Sequence, residues 1–164
     1  MTNLNTLEGY ILPFIAILLT ASAAIYCIFS VTNLTNLKEY RDNEDLKTAD
    51  VFLSTSQVVL WIIAITFFIL ILMHLYGENM MEKWTHLLPA ILVISLLFVV
   101  IIFIAIAIDY INKSNVLSNI NNKNNRSKKD SIVALILVIA ATIVSFSLVM
   151  LRGTDDLYGN ISNY

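Results

Sequence analysis

Charge is missing from most of this chain. No Asp, Glu, Lys or Arg falls within residues 10–31, 51–76, 87–108 or 132–151, and only 13% of the 164 residues are charged. Ionisable groups at membrane depth are expensive and are retained mainly for function, so their absence argues against a pump, a proton relay or a membrane enzyme. Serines occur in these runs, but no base accompanies them, and a nucleophilic triad has no basis. Glycine is absent too: Gly9, Gly77, Gly153 and Gly159 all lie outside the runs. Pro13 and Pro89 stand in the first turns of runs one and three, where a missing N–H costs little. No run is broken in its middle, whereas transporters usually build their sites from interrupted helices. The one cysteine, Cys27, excludes an intramolecular disulfide and a multi-cysteine metal site, and reads as a small apolar packing residue.

What is present is apolar. Hydrophobic residues make up 58% of the chain, and mean hydropathy is +0.78. Each of the four runs reaches the ~20 residues that a helix needs to cross ~30 Å of hydrocarbon. The runs are apolar on nearly every side, unlike the core helices of soluble proteins. The expected fold class is all-α: an integral membrane protein, a four-transmembrane-helix bundle, with residues 1–164 forming one membrane domain. Polar loops are expected at 32–50 and 110–131. The leader MTNLNTLEG contains no Lys or Arg, so the first run reads as a span rather than a cleavable signal.

Lys38, Arg41, Lys47, Lys113, Lys123, Arg126, Lys128 and Lys129 are eight of the ten basic residues, and all lie in those two loops. The positive-inside bias places both loops in the cytosol and both termini on the lumenal or exterior side. The net charge of −2 gives no general affinity for nucleic acid. The loop around Asn-rich 112–130 is the most distinctive polar segment. That loop reads either as a solvated tether whose charges only set topology or as a docking segment. In the second case Lys38, Arg41, Lys113, Lys123, Arg126, Lys128 and Lys129 are the candidates for binding a protein partner or anionic lipid headgroups. Sequons at Asn33, Asn112, Asn125 and Asn160 are expected to stay unmodified.

Small residues at four-residue spacing let membrane helices approach closely. Ala16, Thr20 and Ala24 form such a stripe in the first span, and Ala141 and Ser145 in the fourth. In the second span Ser54, Gln57, Trp61, Ala64 and Phe68 share a face. Gln57 and Trp61 seek partners for their polar groups, so that face is expected to pack inward. Asn43-Glu44-Asp45 places acids where a helix N-terminus favours them. His74 and His86 flank the short second loop, but no third ligand accompanies them, and no metal or cofactor is expected. Nor is a small-molecule substrate evident.

The segment DNEDLKTADVFLSTSQVVLW, Asp42 to Trp61, with its setting of Asn/Lys-rich loops and Ile-rich spans, resembles the membrane proteins of large nucleo-cytoplasmic DNA viruses. The resemblance implies a non-enzymatic structural protein of the virion inner membrane, linking the bilayer to capsid proteins through loops 32–50 and 110–131. Two other readings compete. One is a small channel, holin-like pore or transporter subunit, with Ser54, Gln57 and Thr66 lining water in an oligomer. The other is an accessory subunit of an energy-transducing membrane complex.

Overall fold

The computed structural model describes residues 11–76, 84–114 and 122–161. Four helices account for nearly all of them: α1, Leu12–Thr35; α2, Glu44–Tyr76; α3, Trp84–Lys113; and α4, Asn122–Ile161. Each contains a segment long and apolar enough to cross a membrane. Consecutive helices pack side by side, and α4 returns to pack along α1, closing a four-membered ring. The chain is an all-α, four-helix membrane bundle.

Local sequence sets the helix ends. Pro13 lies in the first turn of α1, where its fixed φ suits the helix and its missing N–H was unpaired in any case. At the other end of α1, the Leu37 N–H donates to the Leu34 carbonyl at 3.0 Å, and Leu37 then leaves in an extended conformation. A five-residue 3-10 turn, Lys38–Asp42, follows. Asn43 caps α2, its Oδ1 accepting from the Asp45 and Leu46 N–H groups at 3.0 and 3.2 Å. Glu44 and Asp45 then lie against the positive end of the helix dipole.

The core is a set of heptad stripes. In α2 the inward positions are Leu46, Ala49, Leu53, Ser56, Leu60, Ile63, Phe67 and Leu70, and in α3 they run from Val93 through Leu97, Val100, Ile104 and Ala107 to Ile111. In α1 they include Ala16, Thr20, Ala23, Cys27, Ser30 and Leu34, and in α4 Ser127, Ser131, Ala134, Val138, Ala141, Ser145 and Leu148. All advance by alternating steps of three and four. A 3.5-residue period stays on one seam only if the helices wind around each other left-handedly, as in a coiled coil. The stripes differ in bulk. α2 and α3 contribute Leu, Ile, Val and Phe, whereas α1 and α4 contribute mostly Ala, Ser, Thr and Cys, which lets those two backbones approach closely.

Two expectations are corrected here. Residues 110–131 are not one loop, because α3 continues to Lys113 and α4 begins at Asn122. Residues 32–50 are likewise mostly helical, with only 36–43 lying between α1 and α2. Polar composition marks where lipid ends, but it does not end a helix. Lys and Arg are good helix formers, and α4 gains further contacts by running on beside α1.

Candidate functional site: the polar end of the bundle

The helices project beyond their apolar runs at the end that carries the 36–43 and 114–121 connections. From Asn122 to Ile132, α4 extends about 15 Å, and from Glu44 to Val51, α2 extends about 10 Å, at 1.5 Å per residue. Side-chain hydrogen bonds join these projections into a cap.

Three fully buried hydroxyls form the clasp between α1 and α4. Ser30 Oγ lies 2.7 Å from both Ser127 Oγ and Ser131 Oγ. Ser127 Oγ donates to the Ser30 carbonyl at 3.0 Å, and Ser131 Oγ donates to the Ser127 carbonyl at 3.0 Å. Every hydroxyl thus has a partner in a dry site, where an unpaired one would be costly. One turn further out, Asn33 Nδ2 donates to Asp130 Oδ2 at 2.9 Å. On the α2–α3 side, Asn43 Nδ2 donates to the Ser114 carbonyl at 3.3 Å. Beneath it, Phe52 packs edge-on against Phe103 and stacks on Tyr110, with centroids 5.4 and 6.4 Å away.

Asp50 holds the 3-10 turn down. Tyr40 Oη donates to Asp50 Oδ2 at 2.5 Å, and Ser54 Oγ donates to Asp50 Oδ1 at 3.0 Å. The hydrogen bond to Asp50, together with burial and the carboxylate's charge, pushes the Tyr40 phenol from 10.0 up to about 12. The fold favours the protonated phenol. Its contribution is therefore full below pH ~10, the unfolded value, and is lost as pH rises through about 12. Asp50→Asn is expected to return Tyr40 toward its ordinary value. Phenolate absorbance, taken as the difference from Tyr40→Phe, measures this, and an unchanged titration would remove Asp50 as the cause.

The charges at this end are not spread evenly. Around α2's start, Lys38, Arg41 and Lys47 are outnumbered by Glu39, Asp42, Glu44, Asp45 and Asp50, so this corner is net acidic. Lys47 pairs with Glu44 at 2.8 Å, and on α3 Lys113 pairs with Asp109 at 2.6 Å. Lys113, a candidate docking residue, is thus engaged within its own helix. Lys38 and Arg41 are exposed, but Glu39 and Asp42, also exposed, sit between and beside them. The basic character gathers on α4. Arg126 and Lys129 are exposed and Lys128 half-buried, and among the described residues none of the three forms an ion pair. Lys123 is in the first turn of α4; its side chain, like those of His74 and His86, lies outside the described residues. Since α2 and α4 occupy opposite corners of the ring, the cap is dipolar.

Of the expected packing residues, Ala16, Thr20, Ala24, Ala141 and Ser145 are buried. The face expected to turn inward on α2 does not do so. Trp61 is 40% and Phe68 55% exposed, Ser54 and Gln57 are half-buried, and only Ala64 of that set is buried. Lipid tails are as apolar as Leu, so hydrophobicity gives no force that turns one face inward. Shape decides, and the stripe through Leu53, Leu60 and Phe67 fits the core. Ser54 needed no interhelical partner because Asp50 is one turn away.

The Ser30–Ser127–Ser131 clasp and the Asn33–Asp130 and Tyr40–Asp50 pairs were not legible as contacts. A signal existed for the first: Ser127 and Ser131 extend the Ala134, Ala141 and Ser145 stripe upward at heptad spacing. No group of three potential metal ligands occurs among the described residues. An open hollow of about 630 Å³ on the outer side of α4 is lined by Thr142, Ile143, Phe146, Ser147 and Met150. Its two hydroxyls are committed to Val138 and Ile143 carbonyls, leaving no described polar group to orient a substrate.

Fold and site together define an integral membrane bundle with a hydrogen-bonded, dipolar cap. No family model matches the chain, and no curated protein or solved structure matches it.

Proposed function

We propose that this chain is a non-enzymatic structural membrane protein that anchors a larger assembly, holding a soluble partner at the bilayer through its polar cap. One observation carries the reading. Lys123, Arg126, Lys128 and Lys129 crowd the first turns of α4, which contain no acid in the opening turn. A helix N-terminus carries a partial positive charge, so four cations there destabilise the helix that bears them. They serve something outside it. Topology is one use, since such clusters stay cytosolic, and an acidic docking surface on a partner is the other.

The cap suits docking because hydrogen bonds already hold its described helix ends and the 38–42 turn together, which lowers the ordering left for the binding step. Its acidic and basic corners give a partner a defined orientation. The finer reading, a virion inner-membrane protein linking bilayer to capsid, rests on the resemblance across Asp42–Trp61. In such a particle the cytosolic cap would face the assembling shell.

Cross-linking mass spectrometry on the native membrane or particle tests this. Lys38, Lys123, Lys128 and Lys129 should link to a soluble protein, and the complex should sediment as a large assembly. Reversing two charges, Arg126→Glu with Lys129→Glu, should abolish the α4 links while leaving the chain in the membrane. Sedimentation as a small species without foreign cross-links would defeat the proposal.

A further inference from the structure

One polar side chain at membrane depth is left without an outlet. Gln57 lies six residues below Val51, about 9 Å down the α2 axis. It sits at the edge of the buried stripe, half-exposed, and among the described residues no hydrogen bond uses its amide. Its neighbours on α2 solve the same problem locally. Thr55, Ser56 and Thr66 each donate to the carbonyl four residues back, at 2.8, 2.8 and 2.9 Å, and Ser54 donates to Asp50. One turn deeper than Gln57 is Trp61, 40% exposed, whose indole N–H also has no acceptor among the described residues. Tryptophan belongs at the membrane interface, not midway across lipid. Both groups lie on the same flank of α2, and both call for cover.

We propose that this flank is where a second copy of the chain docks, α2 against α2 about a two-fold axis. The amide itself selects that occupant. A carboxamide carries two N–H donors and a carbonyl acceptor, so Gln57 is complementary to Gln57 of an identical helix. Across a two-fold axis each amide donates to the other, and both are satisfied at once. A foreign span would have to supply its own polar side chain at the same depth. Hydrogen bonds of this kind are a recurrent adhesive between membrane helices. Within the apolar run nothing charged opposes the approach, since residues 51–76 contain no Asp, Glu, Lys or Arg. Asp50, two turns above Gln57 on the same flank, is held by the Tyr40 and Ser54 hydroxyls. Trp61, one turn below, becomes covered by the same contact. The axis leaves both polar caps on one side of the membrane, so a dimer presents two docking surfaces.

The inference stands apart from the docking role, because it concerns the chain alone. The full chain is reconstituted in phosphatidylcholine vesicles, and the fraction of dimers is followed by energy transfer over a dilution series. Wild type should dimerise, and Gln57→Leu should weaken dimerisation about tenfold, the change that ~1.4 kcal/mol of lost amide pairing produces. In a Cys27→Ala background, Phe68→Cys, on the flank of Gln57 and Trp61, should form an intermolecular disulfide and Ile136→Cys, exposed on α4, should not. Gln57→Leu places an apolar group toward lipid, and an unchanged unfolding midpoint of the monomer shows that the fold survives. A wild-type monomer at every dilution, which would leave a foreign span as the cover, overturns the proposal. So does a dimer indifferent to Gln57→Leu, or one that cross-links through Ile136→Cys.

Discussion

Ser131→Leu is expected to destabilise the bundle by about 3 kcal/mol, or to prevent its assembly, while Ser131→Ala costs under about 1 kcal/mol. Ser131 is fully buried, and its Oγ is 2.7 Å from Ser30 Oγ. A leucine there forces the closest helix pair apart, because the opposing positions on α1 are as small as it is. Overpacking of a dry seam typically costs about 1–3 kcal/mol. Separation also breaks the adjoining Ser30–Ser127 hydrogen bonds and strains Asn33–Asp130 beyond them. The alanine variant removes one hydroxyl and no volume that α1 needs, and Ser30 keeps the Ser127 carbonyl as an acceptor. Unfolding in mixed micelles of increasing SDS content, followed by tryptophan fluorescence, separates the two cases. Equal effects from leucine and alanine would mean that hydrogen bonding, not close packing, holds α1 to α4.

Phe67→Ala is expected to cost about 2–3 kcal/mol, and Phe68→Ala next to it almost nothing. Phe67 is 2% exposed and Phe68 55%. In water, truncating a buried Phe loses both its transfer energy and its packing, about 3–5 kcal/mol together. In a bilayer the separated helices still hold their side chains in lipid, so most of the transfer part cancels. What remains is the void, at about 24 cal/mol per Å³ of cavity. In the monomer Phe68 leaves no void, since lipid closes over the gap. The same titration compares the two adjacent variants. If Phe68→Ala proved the more damaging, the inward face of α2 would be the one that carries Trp61 and Phe68.

That comparison also marks how far the residues could be read without the fold. Asp50, Glu44 and Asp45 show where α2 meets water, and Asn43 is the kind of residue that caps a helix; all of this is local chemistry. The rotation of α2 is not local. Gln57 and Trp61 are the most polar groups of their run, and in a soluble helix such residues would fall on a recognisable face. Here apolar residues occupy every side, and the heptad stripe through Leu53, Leu60 and Phe67 is hidden among equally apolar neighbours. On α1 and α4 the stripe was partly visible, because Ala16, Thr20, Ala24, Ala141 and Ser145 are small as well as apolar. The cap was least legible. Ser30 to Ser127 and Asn33 to Asp130 each join residues 97 apart in sequence, and polar composition by itself reads as a loop.

The sequence alone determined the class of this protein, its four spans and the uneven distribution of its basic residues. These follow from the bilayer, which sorts any chain by the length and polarity of its segments, one segment at a time. Only the tertiary structure decided which face of each helix turns inward, that the polar segments continue as helix, and that acids and bases separate to opposite corners of the cap. Those outcomes depend on side-chain shape and on hydrogen bonds between distant segments, and hydropathy carries neither.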